Sequence, residues 1–307
     1  MERLLTAFSK LSLRLLVKPV LGSRLPIGMQ RRWVGLMTRA MGGARGVERS
    51  RLQAGGLPIM RLRQATAAGA GPADRDAVLY LHGGGFEIGG GEMYAGFASR
   101  IAALTGADVY LPDYRLAPEH TQPAPTDDAF AAYRMVLELG HEPGRTAIVG
   151  DSAGGGISVS TTRSLGEMGL PAPAALVLIS PWLDLSLSGA SVAAVGDRDP
   201  MISRRWLTGA ARNHAAGLQL DDPRVSPLFA QLRTLPPTLV QVGSEEILLD
   251  DSTRFADRAY AAGVDVELQR YDGLFHDFQL FALLLGSARA ALDDIAAFLR
   301  RRLGVGR

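Results

Sequence analysis

Eight short strand-like runs, separated by helical segments, limit the folds open to this chain more than any other feature. They fall at Val47–Gln53, Pro58–Gln64, Ala77–Leu81, Ala107–Pro112, Thr146–Val149, Ala174–Ile179, Thr238–Val242 and Val266–Tyr271. The later runs are continuously apolar rather than alternating, the pattern of strands covered on both faces. Between them the spacing predicts helices near Tyr94–Leu104, Thr126–Leu139, Ala153–Met168, Ser252–Ala262 and Ser287–Leu303. Strand and helix in repeated alternation wind into an α/β fold: a mostly parallel eight-stranded sheet with helices on both faces. The first two runs adjoin through Gly55-Gly56 and predict an antiparallel hairpin at one edge.

Two stretches stand outside this rhythm. Between Ser180 and Thr238 the only regular pattern is a helix at Ser203–Ala216, and a structureless loop of that size is foreign to a compact domain. Residues 186–225 therefore read as an inserted part of a helical cap. At the N-terminus, Leu4, Leu5, Phe8, Leu11, Leu15 and Leu16 recur at helical spacing, with Arg3, Lys10, Arg14 and Lys18 opposite, until Pro19. A second helical stretch, Arg31–Met41, ends at Gly42-Gly43. The expected division is 1–50 as the N-terminal part of the cap, 51–185 and 226–307 as the body, and 186–225 as the second part of the cap. The leucine face of the arm is expected to pack on the body. The weaker reading of a basic amphipathic helix is peripheral contact with a membrane surface.

Charge and composition remove several classes of function. The arm (residues 1–50) carries ten basic against two acidic side chains, while the whole chain has 33 basic and 31 acidic residues, so the body is mildly acidic. No basic stripe with interleaved aromatics is present, which argues against nucleic acid as a partner. No apolar run approaches the roughly 18 residues of a membrane-spanning helix. Arg and Lys also interrupt what would be the apolar core of a signal peptide. With no cysteine there is no disulfide, thiolate metal site or cysteine nucleophile, and the cytoplasm is the default compartment. The only lysines are Lys10 and Lys18, neither in a phosphate-binding loop or a Schiff-base setting. No metal motif or organic cofactor is implied.

The chemistry-bearing residues follow strands. Gly150-Asp151-Ser152-Ala153-Gly154-Gly155 comes directly after Thr146–Val149 and opens a small-residue helix. Gly-x-Ser-x-Gly in that setting forms a sharp strand-to-helix elbow that presents Ser152 as a nucleophile. His82-Gly83-Gly84-Gly85 directly follows Ala77–Leu81, and glycines there let backbone N–H groups face a bound carbonyl. The expected oxyanion donors are Gly83, Gly84 and Ala153. A dinucleotide-binding reading of either glycine run fails for want of the third glycine. Among five histidines, His82 belongs to the glycine turn, His120 and His141 follow the wrong strand or helix ends, and His214 falls in the cap. His276 follows the last strand, on the sheet edge from which Ser152 also emerges. The acid belongs after the preceding strand, in Gly243-Ser244-Glu245-Glu246; Glu246 is the choice and Glu245 the reserve. Asp250 and Asp251 read as first-turn charges of the next helix.

Together these residues resemble the hormone-sensitive lipase family of α/β-hydrolases, in its bacterial esterase branch. Asp113-Tyr114-Arg115-Leu116-Ala117-Pro118-Glu119-His120 and Ser180-Pro181-Trp182-Leu183-Asp184-Leu185 carry the likeness further, and it runs from about residue 75 to the C-terminus. Where the family commonly has His-Gly-Phe this chain has His276-Asp277-Phe278, with an extra carboxylate beside the base. Asp113 and Arg115 are expected to pair beneath the oxyanion loop. The resemblance implies an α/β-hydrolase fold with a helical cap. It implies a serine-dependent hydrolase of short-to-medium acyl esters working through an acyl-enzyme, with catalytic Ser152, Glu246 and His276 and no cofactor or metal. Amide, lactone or acetyl-group hydrolysis through the same trio stays open, as does a non-catalytic small-molecule receptor. Homodimers are frequent in the family, often through the last strand and helix; Phe278–Phe281 and Leu283–Leu285 lie near there, although an apolar helix serves a core as readily.

Overall fold

The computed structural model describes residues 1–23, 25–39, 42–65 and 71–304. Its strands are β1 (Val47–Ala54), β2 (Leu57–Gln64), β3 (Ala77–Leu81), β4 (Asp108–Pro112), β5 (Thr146–Asp151), β6 (Ala175–Ile179), β7 (Thr238–Gly243) and β8 (Val266–Tyr271). They form one eight-stranded sheet in the order β1-β2-β4-β3-β5-β6-β7-β8. From β4 to β8 every neighbouring pair is parallel, whereas β2 runs antiparallel to both β1 and β4. The expected edge hairpin is β1–β2, turning at Gly55 and Gly56, both at positive φ.

Why the central strands form is visible in β3. All five residues of its Ala-Val-Leu-Tyr-Leu sequence are buried. Ala77, Leu79 and Leu81 join one core layer, and Val78 and Tyr80 the other. Burying a Val or Leu side chain yields roughly 1.5–3 kcal/mol, against about 1–2 kcal/mol for ordering each backbone residue, so only a strand apolar on both faces holds the middle of the sheet. Helices α3 (Gly91–Thr105) and α9 (Gly286–Arg302) supply one layer; α4 (Ala124–Glu138), α5 (Ser152–Ser164) and α8 (Leu249–Ala261) supply the other.

The order of strands positions the site. After β3 the chain crosses to β4 on one side, then returns to place β5 on the opposite side of β3. At such a switch point the loops leaving the carboxyl ends of β3 and β5 diverge and open a crevice. The glycine loop from residue 82 forms one wall and the Ser152 turn the other.

Above that crevice lie α1 (Glu2–Leu16), α2 (Ile27–Arg39) and α7 (Arg204–His214), while the short α6 (Ser191–Ala194) packs by Ser191 on the start of α8. Helix α7 starts at Ser203, whose side chain accepts the Trp206 N–H. The expected end of the second helical stretch at Met41 lies outside the described residues. Because β1 begins at Val47, residues 47–50 belong to the sheet, and the boundary expected at residue 50 moves back to the start of that strand.

The arm overturns most of one expectation. Leu4 is 72%, Phe8 60%, Leu11 55% and Leu15 66% exposed, so most of the leucine face does not pack on the body; of that face, Leu5 packs against the core and Leu16 lines the cavity. The buried side chains of α1 are Ser9 and Leu13. The polar residues expected to face water tie the helix down instead: Lys10 donates to Glu245 (2.7 Å), Arg14 to the Arg198 carbonyl (2.9 Å) and Lys18 to the Asp199 carbonyl (2.5 Å). Glu2 accepts the Gly286 and Ser287 N–H groups at the start of α9. These bonds set the rotation of the helix, and hydropathy alone carries no information about them. No helix among the described residues is long and apolar enough to cross a membrane.

Candidate active site

Strand β5 ends at Asp151 and α5 begins at Ser152 with no loop between. The junction drives Ser152 to φ +49°, a region costly for any residue with a Cβ. Crowding enforces it: a Cβ on Gly154 would collide with the carbonyl oxygen of Leu81, and one on Gly150 with the carbonyl of Gly154. The result is a buried hydroxyl standing at the carboxyl edge of the sheet.

Two loops bring the partners. His276 Nε2 lies 3.0 Å from Ser152 Oγ, and its Nδ1 lies 2.8 Å from Glu246 Oε2. Glu246 is fully buried, and its other oxygen accepts the Gly243 N–H (2.6 Å) and the Ser180 hydroxyl (2.9 Å). Both acceptor oxygens are thereby occupied and the carboxylate cannot rotate away from the ring. Glu245, the reserve candidate, faces outward, pairs with Lys10 and lies away from His276. Asp250 binds the Ser191 N–H (2.9 Å), as a charge in the first turn of α8. Asp251 departs from that simple reading: it is buried and accepts the Leu183 and Asp184 N–H groups, with its pKa pushed up to about 8 by burial.

The other described histidines with shifted pKa values are set apart from this one by their surroundings. Burial lowers His82 and His214 to about 4 and lowers His141 as well, so all three are neutral rings at pH 7. His82 stacks on Tyr114 (4.2 Å between centroids) and holds the Gly83 carbonyl (2.8 Å); His214 stacks on Phe86. His276 differs. Burial disfavours its charged form, but the carboxyl groups of Asp277, Glu246 and Asp199 outweigh it and raise the pKa above the ordinary imidazole value. Burial in turn holds Asp277 well above the usual carboxylate range, so the two share one proton, and the ring is a base whenever Asp277 carries it.

On the oxyanion side the structure corrects the expectation for Gly83. Its N–H donates to Asp151 Oδ1 (2.9 Å) and is not free for a substrate oxygen. The same carboxylate accepts Tyr80 (2.6 Å) and Tyr94 (3.0 Å) hydroxyls, and burial raises its pKa to about 6 despite them. Asp151 thus clamps the glycine loop to the nucleophile turn, a role the sequence reading passed over although the residue sits inside the Gly-x-Ser motif. The Gly84 and Gly85 N–H groups, by contrast, donate to no partner among the described residues, and Gly84 lines the cavity beside Ser152. Gly84 at φ +109° leaves no room for a Cβ, which would collide with the Ile88 carbonyl. Asp113 and Arg115 do not pair with each other: Arg115 binds Asp128 (2.7 Å) and Asp113 accepts the Gly91 N–H (2.5 Å). They share a strand-exit loop but point to different helices, α4 and α3.

A cavity of about 230 Å³ reaches down to Ser152, His276 and Asp277. Its walls are Leu13, Leu16 and Val17 of the arm, Val34 and Met37 of α2, and Met201, Ile202 and Trp206 beside α7. Asp199 pins that last wall to the acid loop, accepting the Ile202 N–H (3.0 Å) and the Ile247 N–H (3.0 Å). Phe278, Phe281 and Leu285 are buried, so they belong to the core, whereas Leu283 and Leu284 are exposed.

A family model for the alpha/beta hydrolase fold matches residues 78–280. An acetyl-hydrolase of Streptomyces hygroscopicus is 38% identical over 250 residues, covering 81% of this chain and 84% of its own. Carboxylesterase NlhH of Mycobacterium tuberculosis is 33% identical over 270 residues, covering 80% and 84%. Among solved structures, an esterase from the bacterial hormone-sensitive lipase family superposes with a TM-score of 0.87 at 38% identity, covering 92% of this chain and 93% of that one.

Proposed function

Because this chain belongs to the α/β-hydrolase-fold family, in its hormone-sensitive lipase branch, and is a carboxylesterase-like hydrolase, we propose that Ser152, His276 and Glu246 form its catalytic trio. One observation carries the reading: an unbroken hydrogen-bonded line from Glu246 through His276 to Ser152 at the floor of an apolar cavity. In the reaction His276 Nε2 takes the Ser152 proton as the hydroxyl oxygen adds to the ester carbonyl. The N–H groups of Gly84, Gly85 and Ala153 receive the developing oxyanion. His276 then protonates the leaving alcohol, and water activated by the same ring hydrolyses the acyl-enzyme. No step calls for a metal or an organic cofactor. A decayed receptor has no need of such a line, which favours the enzyme over a binding module; amides and lactones pass through the same intermediate and are tested beside esters.

The cavity size supports short-to-medium acyl chains. At about 230 Å³ it falls below the roughly 300–1,000 Å³ of sites for drug-sized ligands. On p-nitrophenyl esters from acetate to palmitate, kcat/KM should peak between butyrate and octanoate and fall at least tenfold by palmitate. A maximum at palmitate would refute the chain-length proposal.

The cysteine-free composition supports a cytoplasmic location. The arm adds a partner to the proposal. The exposed Leu4, Phe8, Leu11 and Leu15 of α1, with exposed Met29 and Leu36 of α2 and the basic Arg3 and Arg32, favour contact with an anionic lipid surface. The protein should co-float with phosphatidylglycerol vesicles and not with neutral ones, and the Phe8→Glu/Leu15→Glu double variant should stay in the soluble fraction. Equal flotation of both proteins would remove the arm from membrane contact.

A further inference from the structure

The trio leaves one chemically potent group at the site unused. Asp277 follows the base directly, is 4% exposed and lines the cavity. Its Oδ2 lies 3.3 Å from His276 Nε2, on the side of the ring that faces Ser152. Its Oδ1 is buried and has no hydrogen-bond partner among the described residues. The position is built: Asp277 takes φ +53°, and its N–H donates to Ser180 Oγ (3.2 Å), the same hydroxyl that holds Glu246. Orienting the ring does not explain it, since Glu246 already does that at Nδ1, and the pull of Asp277 on the imidazole acts through Oδ2 and leaves Oδ1 unaccounted for. A carboxyl oxygen left without a donor in an apolar cavity is costly unless a ligand supplies one.

The reaction geometry says which part of a ligand that is. Nε2 must reach the leaving-group oxygen at hydrogen-bonding distance in order to protonate it. That oxygen and Asp277 Oδ2 therefore sit around the same nitrogen, and a donor two or three bonds from the oxygen meets the carboxyl. We infer that Asp277 is a recognition subsite for esters whose alcohol portion carries a hydroxyl or protonated amine next to the ester oxygen. The inference rests on the ester-hydrolase reading above. It also joins binding to chemistry: a donor that engages Asp277 draws its carboxyl away from Nε2 and leaves that nitrogen to Ser152.

Four carboxyl groups face the imidazole from separate elements: Asp151 from the end of β5, Asp199 beneath α7, Glu246 after β7, and Asp277. Asp277, by its distance, is the one on the substrate side of the ring. Asp277 is itself held well above the usual carboxylate range by burial and shares a proton with the ring. Removing it abolishes the proton-sharing pair that favours the imidazolium, so the acid limb of the pH–kcat/KM profile moves to lower pH.

The test compares matched butyrates: 2-hydroxyethyl against propyl, and 2-(dimethylamino)ethyl against 3-methylbutyl. Wild type is expected to prefer the donor-bearing ester roughly ten- to hundredfold in at least one pair, as for hydrogen bonds to charged groups. Asp277→Gly, which glycine's tolerance of positive φ lets fold, should bring both ratios within about twofold of unity and shift the acid limb downward. Asp277→Asn, which keeps an acceptor without charge, should lose the preference for the amine. Equal rates within both pairs in wild type, or a preference that survives in Asp277→Gly, overturn the subsite while propyl butyrate turnover still reports the ester hydrolase. Loss of propyl butyrate turnover by wild type overturns both.

Discussion

Ser152→Ala will lower kcat for p-nitrophenyl butyrate by about 10⁴–10⁶, the range seen when the nucleophile of a serine triad is removed. The change deletes one oxygen from a buried side chain 3.0 Å from His276 Nε2. The fold has little reason to suffer, because alanine occupies the same strained elbow with less bulk. Circular dichroism and thermal melting should therefore match wild type within a few degrees. A fluorophosphonate probe that labels wild type should leave the variant unlabelled. Residual activity within about tenfold of wild type would move the nucleophile elsewhere and take the whole mechanism with it; a triad variant keeps only the small catalysis of its oxyanion hole.

Glu246→Gln carries the second largest effect, about 10³–10⁴ in kcat, and its logic lies in proton positions. Glu246 Oε1 already accepts from the Gly243 N–H and the Ser180 hydroxyl. A glutamine must turn its carbonyl oxygen to those donors, which leaves its NH₂ facing His276 Nδ1. That nitrogen then has to be the acceptor, so the ring proton moves to Nε2, and Nε2 can no longer take the proton of Ser152. The side chain changes little in size, the ring stays in place, and the base has the wrong tautomer. Turnover should remain low across pH 6–9, while KM changes only a few-fold. Glu245→Gln, which alters an exposed partner of Lys10, should by contrast leave kcat within about twofold, as surface ion pairs are worth little. Equal losses in the two variants would show that the loop's charge, and not the hydrogen bond to Nδ1, is what matters.

Much of this site is legible along the chain because it is made of local events. Gly-Asp-Ser-Ala-Gly after an apolar strand is a turn whose crowding only glycine permits, so Ser152 could be read from five residues. The order of strands then assigns His276 and the acid loop to one edge of the sheet. The oxyanion donors were only partly legible. Three consecutive glycines say that the backbone approaches something, but which N–H is already spent depends on Asp151 arriving from another strand. Asp113 and Arg115 failed for a related reason. Neighbours in sequence, they leave β4 in different directions, and each found a partner on a different helix.

The arm gives the same lesson about helices. Its heptad-like leucines announce an amphipathic helix, yet periodicity does not say which side meets the body. Lys10, Arg14 and Lys18 decided that, through acceptors 180 residues or more away in the chain. What this sequence determined alone is whatever depends on backbone sterics and on burial along a single element: the strands, the elbow, the alternation that makes the sheet. What only the tertiary structure decided is which polar atoms are satisfied by distant partners and which are left facing the cavity. A hydrogen bond needs both its atoms in place, and for Gly83, Glu246 and Asp277 the second atom, or its absence, is set by the folded surroundings.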